Sequence, residues 1–430
     1  MDRNDICYKT YVEILKKELV PAMGCTEPIA LAYCSAKARA VLGCLPERVE
    51  IEVSGNIIKN VKSVIVPNSG GRRGIEAAAA VGIVAGDETL ELEVLSKVTE
   101  EQKALLGAYL ETTKFTVIPV ETPYLLDMAV TVKKGSETAR VRIAEEHTNI
   151  IEIRKNGELL FEKRAEEVPG GQAKEAGEPD YALLSIEKIY EFAATADLDD
   201  VKEILDRQIR YNTAIAEEGL RGNYGANIGR ILMEEYGDRI ENRAKAMAAA
   251  GSDARMNGCE MPVVINSGSG NQGMTASLPV IEYAKYLGSS EDELYRALLI
   301  SNLVTLHQKT GIGRLSAYCG AVSAGAGAGC GIAYLEGGDL TVLAHTLVNA
   351  LAVTSGIVCD GAKASCAAKI AVAVDTGILG YKMYKNGQQF YGGDGLVAKG
   401  VEKTIVNIGR LGREGMRETD KEIIRIMTGE

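Results

Sequence analysis

Two consecutive uncharged segments decide the fold of this chain. They are Leu315–Leu335, with the sequence LSAYCGAVSAGAGAGCGIAYL, and Leu340–Cys359, with the sequence LTVLAHTLVNALAVTSGIVC. Each is long enough to supply the ~20 residues that cross a bilayer. The first is mostly Gly, Ala and Ser, the second contains His345 and Asn349, and neither has the flanking Lys/Arg clusters or aromatic belts of a membrane span. They are predicted to be buried central helices, with a membrane-spanning pair as the alternative interpretation.

The residues on either side of these segments extend the helical pattern. Apolar side chains recur at helical spacing through most of 181–430, which predicts a mainly helical domain. Residues 1–44 carry two further helical stretches, 5–20 and 28–42, and we expect these N-terminal helices to pack on that domain.

The chain between these helical regions has a different period. Val49, Ile51 and Val53 alternate with charged residues, which predicts a strand. A turn is predicted at Gly55-Asn56, followed by a strand at residues 64–66, and a further strand is expected near 90–95. Turn residues at Gly135 and Asn156-Gly157 predict two hairpins. Residues 45–164 are therefore predicted to form a smaller α+β domain, and 165–180, rich in Gly and charge, a linker. The predicted fold class is α+β with two domains, the larger mainly helical.

The composition limits the class of function. The chain has 430 residues with 48 Lys plus Arg against 59 Asp plus Glu, so its net charge is −11, and 46% of its residues are hydrophobic. These values exclude wholesale disorder and argue against a general nucleic-acid or anionic-membrane binding role. The polar start of the chain predicts a cytoplasmic protein, in which the nine cysteines stay reduced.

A Gly-rich loop is the first candidate binding site. Ser267-Gly268-Ser269-Gly270-Asn271-Gln272-Gly273 contains a G-x-G-x-x-G pattern after a strand-like run. A dinucleotide fold needs a second strand with an acidic residue ~20 positions later, and the chain there is helical in pattern. We therefore predict an anion cradle that receives a small carboxylate, with a plain turn as the alternative. The candidate residues are Ser267, Gly268, Ser269, Gly270, Asn271 and Gln272.

Four cysteines are candidates for chemistry. Cys25 precedes Pro28 at a predicted helix start, a position that lowers a thiol pKa. Cys359 and Cys366 flank a probable turn, and Cys319 opens the first uncharged segment. Three thiolates that converge can hold three irons of a [4Fe–4S] cube and leave the fourth iron open, whereas zinc would usually recruit a fourth Cys or His. Unliganded buried cysteines remain the alternative interpretation.

These motifs together resemble the L-cysteine desulfidase family of the YhaM or CyuA type, which is related to iron–sulfur L-serine dehydratases. The resemblance runs along nearly the whole chain. It is carried by Val20–Pro28, the Asn266–Gly273 loop, Cys319-Gly320-Ala321, and Gly356–Asp360 with Cys366. It implies a helical catalytic domain, a [4Fe–4S] cluster on Cys319, Cys359 and Cys366, and Cys25 as the base that abstracts a proton. Cys330 is the main rival to Cys319 as a ligand, and Cys34 and Cys259 also lie near motif segments.

The function that follows from this resemblance is β-elimination on L-cysteine, which gives pyruvate, ammonia and sulfide. The alternatives are an iron–sulfur L-serine/L-threonine dehydratase, a pyridoxal-phosphate enzyme that performs the same elimination, and a non-catalytic cysteine or iron sensor. Lys309, Arg314 and Lys363 are either carboxylate ligands or solvated charges, and the Asn68–Gly74 loop is either an anion site or an exposed basic turn. The expected partner is a small amino-acid substrate, and the sequence leaves a homo-oligomer open.

Overall fold

The computed structural model describes residues 1–163 and 179–429. The predicted linker 165–180 lies outside the described residues except for its last two positions. Helices form the majority of the described chain and most strands join one sheet, which confirms the predicted α+β class. The domain boundaries themselves stay a prediction.

The elements are numbered in chain order. The strands are β1 (Pro21–Met23), β2 (Arg48–Val53), β3 (Lys114–Pro119), β4 (Asp127–Lys134), β5 (Glu137–Ala144), β6 (Ile150–Lys155), β7 (Glu158–Glu162) and β8 (Pro262–Val264). The helices of the N-terminal part are α1 (Ile6–Glu18), α2 (Thr26–Leu42), α3 (Gly55–Val61), α4 (Ile75–Ala85) and α5 (Glu100–Thr112). Those of the C-terminal part are α6 (Ile186–Thr195), α7 (Lys202–Arg221), α8 (Ile228–Tyr236), α9 (Ile240–Met256), α10 (Gly270–Leu287), α11 (Glu291–Ile312), α12 (Gly320–Leu335), α13 (Leu340–Thr354), α14 (Cys366–Lys385), α15 (Val401–Arg410) and α16 (Arg417–Thr428).

The larger sheet has the order β3-β2-β4-β5-β6-β7, with β2 and β3 parallel and the other neighbours antiparallel. Two predicted hairpins are confirmed, β4–β5 at Gly135 and β6–β7 at Asn156-Gly157. Asn156 and Gly157 both have positive φ angles, which suits the twist of a two-residue hairpin. The alternation along β2 buries Val49, Ile51 and Val53 on one face of the sheet.

Two predicted strands of this region are wrong. Gly55-Asn56 begins helix α3 and no hairpin forms there, because Ile57, Ile58 and Val61 are buried at helical spacing. Residues 64–66 make only an isolated bridge between Ile65 and Arg73. The expected strand near 90–95 contains a 3₁₀ turn at Glu91–Glu93.

The two uncharged segments form central helices of the C-terminal part. α12 lies between α11, α14, α10 and α13, and its small residues permit close approach. A Cβ atom added to Gly329 would lie 2.5 Å from the carbonyl oxygen of Gly377 on α14. No helix among the described residues has the length and apolar character to cross a membrane. The prediction of a buried helix is confirmed for α12, whereas α13 buries one face and exposes residues such as Val353 on the other.

Helix α2 connects the two parts of the molecule. Its body packs on α4 and on β4 and β5 of the sheet, while α1 packs near α11 and places Tyr8 and Tyr11 against Phe192. The chain just before α2 forms β1, which pairs antiparallel with β8 of the C-terminal part. The N-terminal end of α2 is therefore held against the helical part.

Candidate active site

Two short backbone pairings assemble the site. β1 pairs with β8, which brings the start of α2 to the Gly-rich loop, and the Thr26 hydroxyl donates to the Gly268 carbonyl at 2.8 Å. A second antiparallel bridge joins Tyr318 to Val358. Around it, the Cys319 N–H donates to Ile357 at 3.0 Å and the Cys359 N–H donates to Ala317 at 2.6 Å. The four candidate cysteines reach one cavity by these pairings.

Cys25 lines this cavity together with Cys359. It is the N-cap residue of α2 and is buried against Val64, Met256 and Cys366. Burial raises the pKa of its thiol to about 12, although the nearby Arg255 charge opposes the shift. The structure therefore corrects the expectation of an acidic thiol, because desolvation outweighs the position at a helix start.

Cys319, Cys359 and Cys366 line the same cavity from three segments. Cys319 is the N-cap residue of α12, Cys359 lies in the loop after α13, and Cys366 is the first residue of α14. The rival Cys330 is buried in the middle of α12, where its thiol points to the Leu343 carbonyl at 3.5 Å, and it does not line the cavity. Cys34 and Cys259 are also buried away from it.

The cysteines that line the cavity determine which metal group the site could hold. Among the described residues, no three His, Cys, Asp or Glu side chains lie close enough together to hold a single ion. A [4Fe–4S] cube binds a different iron at each cysteine, so its ligand sulfurs lie farther apart than those around one ion. Three thiols around a shared cavity therefore fit a cube better than a mononuclear site.

Lys309 supplies a positive charge beside these thiols. It lies on α11, is 5% exposed, lines the cavity and has no hydrogen-bond or ion-pair partner in the described parts of the chain. Burial lowers the pKa of its ammonium group to about 8, while Cys359 and Cys319 oppose the shift. An anionic group held by the thiolates would offset the cost of burying this cation.

The Gly-rich loop turns tightly before α10. Ser267 and Gly268 have positive φ angles, and Ser269 is the N-cap residue of α10. Of the six predicted loop residues, Ser269, Asn271 and Gln272 line the cavity, whereas Ser267, Gly268 and Gly270 do not. The Oε1 atom of Gln272 is buried without a hydrogen-bond partner. No dinucleotide-type second strand follows, because α10 leads to α11.

Arg255 is a cavity residue that the sequence argument missed. It lies on α9 and is 2% exposed; its Nε donates to the Gly24 carbonyl at 2.9 Å and its Nη1 to Asn271 Oδ1 at 3.1 Å. A Cβ atom on Gly270 would lie 2.5 Å from Arg255 Nε, so this glycine provides the room for the guanidinium. The signal in the sequence is an arginine among the Ala, Gly and Ser residues of α9.

Glu27 and His147 are also cavity-region residues that sequence reasoning missed. Glu27 lines the cavity and accepts from Asn60 Nδ2 at 3.2 Å. His147, from the β5–β6 turn, places its Nε2 3.9 Å from Glu27, beyond hydrogen-bond range. Burial favours a raised pKa for the Glu27 carboxyl, but His147 and Arg255 outweigh it and the net pKa lies below the usual value. The sheet therefore contributes to the site through this turn.

The remaining cations named from sequence have partners. Arg314 lines the cavity and forms ion pairs with Glu18 at 2.9 Å and Glu146 at 3.0 Å. Lys363 pairs with Asp360. In the Asn68–Gly74 loop, Arg72 donates to the Ser69 carbonyl at 2.7 Å, and Arg73 donates to the Ser63 carbonyl at 2.9 Å. Both arginines of that loop bind local backbone.

Comparison with known proteins identifies the family of this chain. The family model described as serine dehydratase alpha chain matches residues 89–425. A UPF0597 protein of Desulfitobacterium hafniense is 60% identical over 430 residues, which cover 99% of this chain and 98% of the relative. A UPF0597 protein of Lachnoclostridium phytofermentans is 53% identical over 424 residues, with coverage of 98% and 99%. Since the family model spans most of the sequence, the chain belongs to the serine dehydratase alpha-chain family.

Proposed function

We propose that this protein is an iron–sulfur lyase that performs β-elimination on L-cysteine, a small amino-acid substrate, and gives pyruvate, ammonia and sulfide. The observation that carries the proposal is the cavity shared by four cysteines from distant segments, Cys25, Cys319, Cys359 and Cys366. The family supports an elimination of the dehydratase type. The reaction suits the cytoplasm, where the nine free thiols stay reduced.

Cys319, Cys359 and Cys366 would hold the [4Fe–4S] cluster as thiolates, with Lys309 as the nearby cation. When bound, such a cluster supplies an open iron that acts as a Lewis acid toward the leaving group. Cys330 is left out of this ligand set because it lies outside the cavity.

Cys25 is the proposed base in its thiolate form, which the charge of Arg255 favours and burial opposes, and this Sγ takes the α-proton of the substrate. The electron pair of the broken Cα–H bond forms the Cα–Cβ double bond, and the Cβ–S bond breaks with its electron pair leaving on sulfide. The resulting 2-aminoacrylate tautomerises to an imine, which water hydrolyses to pyruvate and ammonia. The Ser267–Gln272 loop orients the substrate carboxylate, with Ser269, Asn271 and Gln272 at the cavity wall.

A second candidate is an iron–sulfur L-serine or L-threonine dehydratase. The description of the matched family model favours it. The same residues would act in the same steps, with hydroxide as the leaving group in place of sulfide. Anaerobic purification followed by paired assays with L-cysteine and L-serine decides between the two. The cysteine proposal expects pyruvate and sulfide in equal amounts from L-cysteine and slower pyruvate release from L-serine.

Five cysteine variants test the assigned roles. Changing Cys319, Cys359 or Cys366 to Ala should remove iron, colour and activity together, because each thiolate holds one iron of the cube. Cys25→Ala should keep its iron and lose turnover, because a base is needed for proton abstraction and not for iron retention. Cys330→Ala is the matched control and should keep both.

We would measure iron content, sulfide content and anaerobic turnover for each of these five variants. Loss of iron from the Cys330 variant with retention in the Cys319 variant would contradict the ligand set. Loss of iron from Cys25→Ala would make Cys25 a ligand and remove it as the base. An iron-replete wild-type protein that binds L-cysteine and releases no pyruvate would instead support a sensor.

A further inference from the structure

Arg255 carries a buried positive charge and has no carboxylate within ion-pair distance in the described residues, although its charge acts on the nearby Glu27 carboxyl. Its two protein acceptors, the Gly24 carbonyl and Asn271 Oδ1, are neutral, and no ion pair to it forms within the described ranges. Its Nη2 is buried and has no hydrogen-bond partner. A buried guanidinium N–H left unpaired costs free energy, so a ligand that supplies an anionic acceptor here would be stabilised.

The other cations of the cavity do not meet this description. Four Lys or Arg side chains line it in the described part of the chain: Lys59, Arg255, Lys309 and Arg314. Lys59 pairs with Asp420, and Arg314 pairs with Glu18. Lys309 interacts with the charges of Cys319 and Cys359 and so lies on the side of the proposed cluster. Arg255 is the remaining cation that is free for a substrate.

The position of Arg255 next to Cys25 indicates which group it receives. Its Nε binds the carbonyl of Gly24, the residue before Cys25, and its charge acts on the Cys25 thiol. In an α-amino acid, the carbon that loses the proton also carries the carboxylate. We propose that the Arg255 guanidinium binds the α-carboxylate of the substrate and thereby presents the α-proton to Cys25, an inference that rests on the proposed function. Asn271 acts as a positioning residue, since its side-chain oxygen holds Arg255 Nη1.

The contact between Arg255 and a carboxylate can be tested without turnover by comparing the binding of a carboxylic acid with that of its amide, which has the same size. 3-Mercaptopropionate and 3-mercaptopropionamide both carry the thiol, lack the α-ammonium group and differ in the charge of one end. Their dissociation constants are measured by anaerobic calorimetry on the iron-loaded protein, with iron content determined on the same samples. The wild-type protein should bind the acid about 10- to 100-fold more tightly than the amide, as expected for one hydrogen-bonded charge pair.

The variants complete a thermodynamic cycle. In Arg255→Met the acid should bind as weakly as the amide, and the amide affinity should stay near the wild-type value. Arg255→Lys keeps the charge and should retain part of the preference for the acid. The matched control is Arg296→Met, since Arg296 also donates to a backbone carbonyl, that of Ala193, but lies outside the cavity, and this variant should keep the full preference.

A folded, iron-replete Arg255→Met protein that still prefers the acid would overturn the assignment, and so would a wild-type protein with no preference. If Arg255→Met does not fold, Asn271→Ala replaces it, and unchanged acid affinity in that variant would overturn the proposal. Failure of the proposed function has a different signature, namely wild-type protein without bound iron or without pyruvate release from L-cysteine and L-serine.

Discussion

The ion pair between Lys59 and Asp420 should be one of the most sensitive points of the molecule. Lys59 lies on α3 and lines the cavity, and its partner comes from the C-terminal helix α16. Their side chains are only 1% and 11% exposed, and Asn56 Nδ2 also donates to Asp420 at 2.9 Å. Asp420→Ala leaves a buried ammonium group without its carboxylate, a change that costs about 3–5 kcal/mol in free energy of unfolding.

A surface pair provides the matched control. Lys245 and Asp375 lie 2.9 Å apart with side chains 20% and 57% exposed, so Asp375→Ala should cost at most about 1 kcal/mol. Urea unfolding followed by circular dichroism measures both losses. The double variant Lys59→Met/Asp420→Leu should recover most of the stability, because apolar side chains can replace a buried pair at little cost. Equal losses in the two single variants would refute this account of the pair.

Two further predictions concern Gly270 and Asp253. Gly270→Ala places a Cβ atom 2.5 Å from Arg255 Nε and from Val263. It should therefore lower the free energy of unfolding in urea by about 1–3 kcal/mol and weaken binding of 3-mercaptopropionate. The control Gly107→Ala, on α5, should be neutral or slightly stabilising. Burial raises the pKa of the Asp253 carboxyl to about 6, above its value in the unfolded chain. The folded state therefore binds this proton more tightly than the unfolded state, and the free energy of unfolding rises as the pH falls through about 6 toward 4. Replacing it by Asn removes the gain, and the free-energy difference between wild type and Asp253→Asn should move by about 2 kcal/mol in favour of wild type between pH 8 and pH 4. An unchanged difference would show that Asp253 titrates as in the unfolded chain.

Structural features that depend on residues close together in the sequence could be predicted from the sequence. The uncharged segments predicted helices, which form as α12 and α13. The turn residues at Gly135 and Asn156-Gly157 predicted two hairpins, which also form. The wrong turn prediction at Gly55-Asn56 has a local cause as well. A turn signal and a helical pattern overlap within the seven residues of α3, and burial favours the helix.

The charge arrangement of the site depends on contacts between distant segments and could not be predicted in this way. Arg255 is identified as an unpaired cation only when Gly24 and Asn271 are seen to accept from it, and these residues lie 231 and 16 positions away along the chain. Arg314 and Lys309 are equally charged in the sequence, but in the described parts of the fold Arg314 pairs with two carboxylates and Lys309 with none.

Within the described residues the buried cations Arg255 and Lys309 form no ion pair, and a site that holds them needs the close packing of glycine-rich and alanine-rich segments. Arg255 and Lys309 cost free energy as buried cations, and the proposed substrate carboxylate and cluster would offset this cost only if the surrounding packing holds both side chains in place. Close helix contacts supply this rigidity, as where Gly270 lies against the Arg255 guanidinium and where Gly320 leaves room for the Gln272 side chain. A larger side chain at either glycine would move a group that has to meet a substrate within hydrogen-bond distance. The small residues that mark the fold in the sequence therefore also set the electrostatics of the cavity.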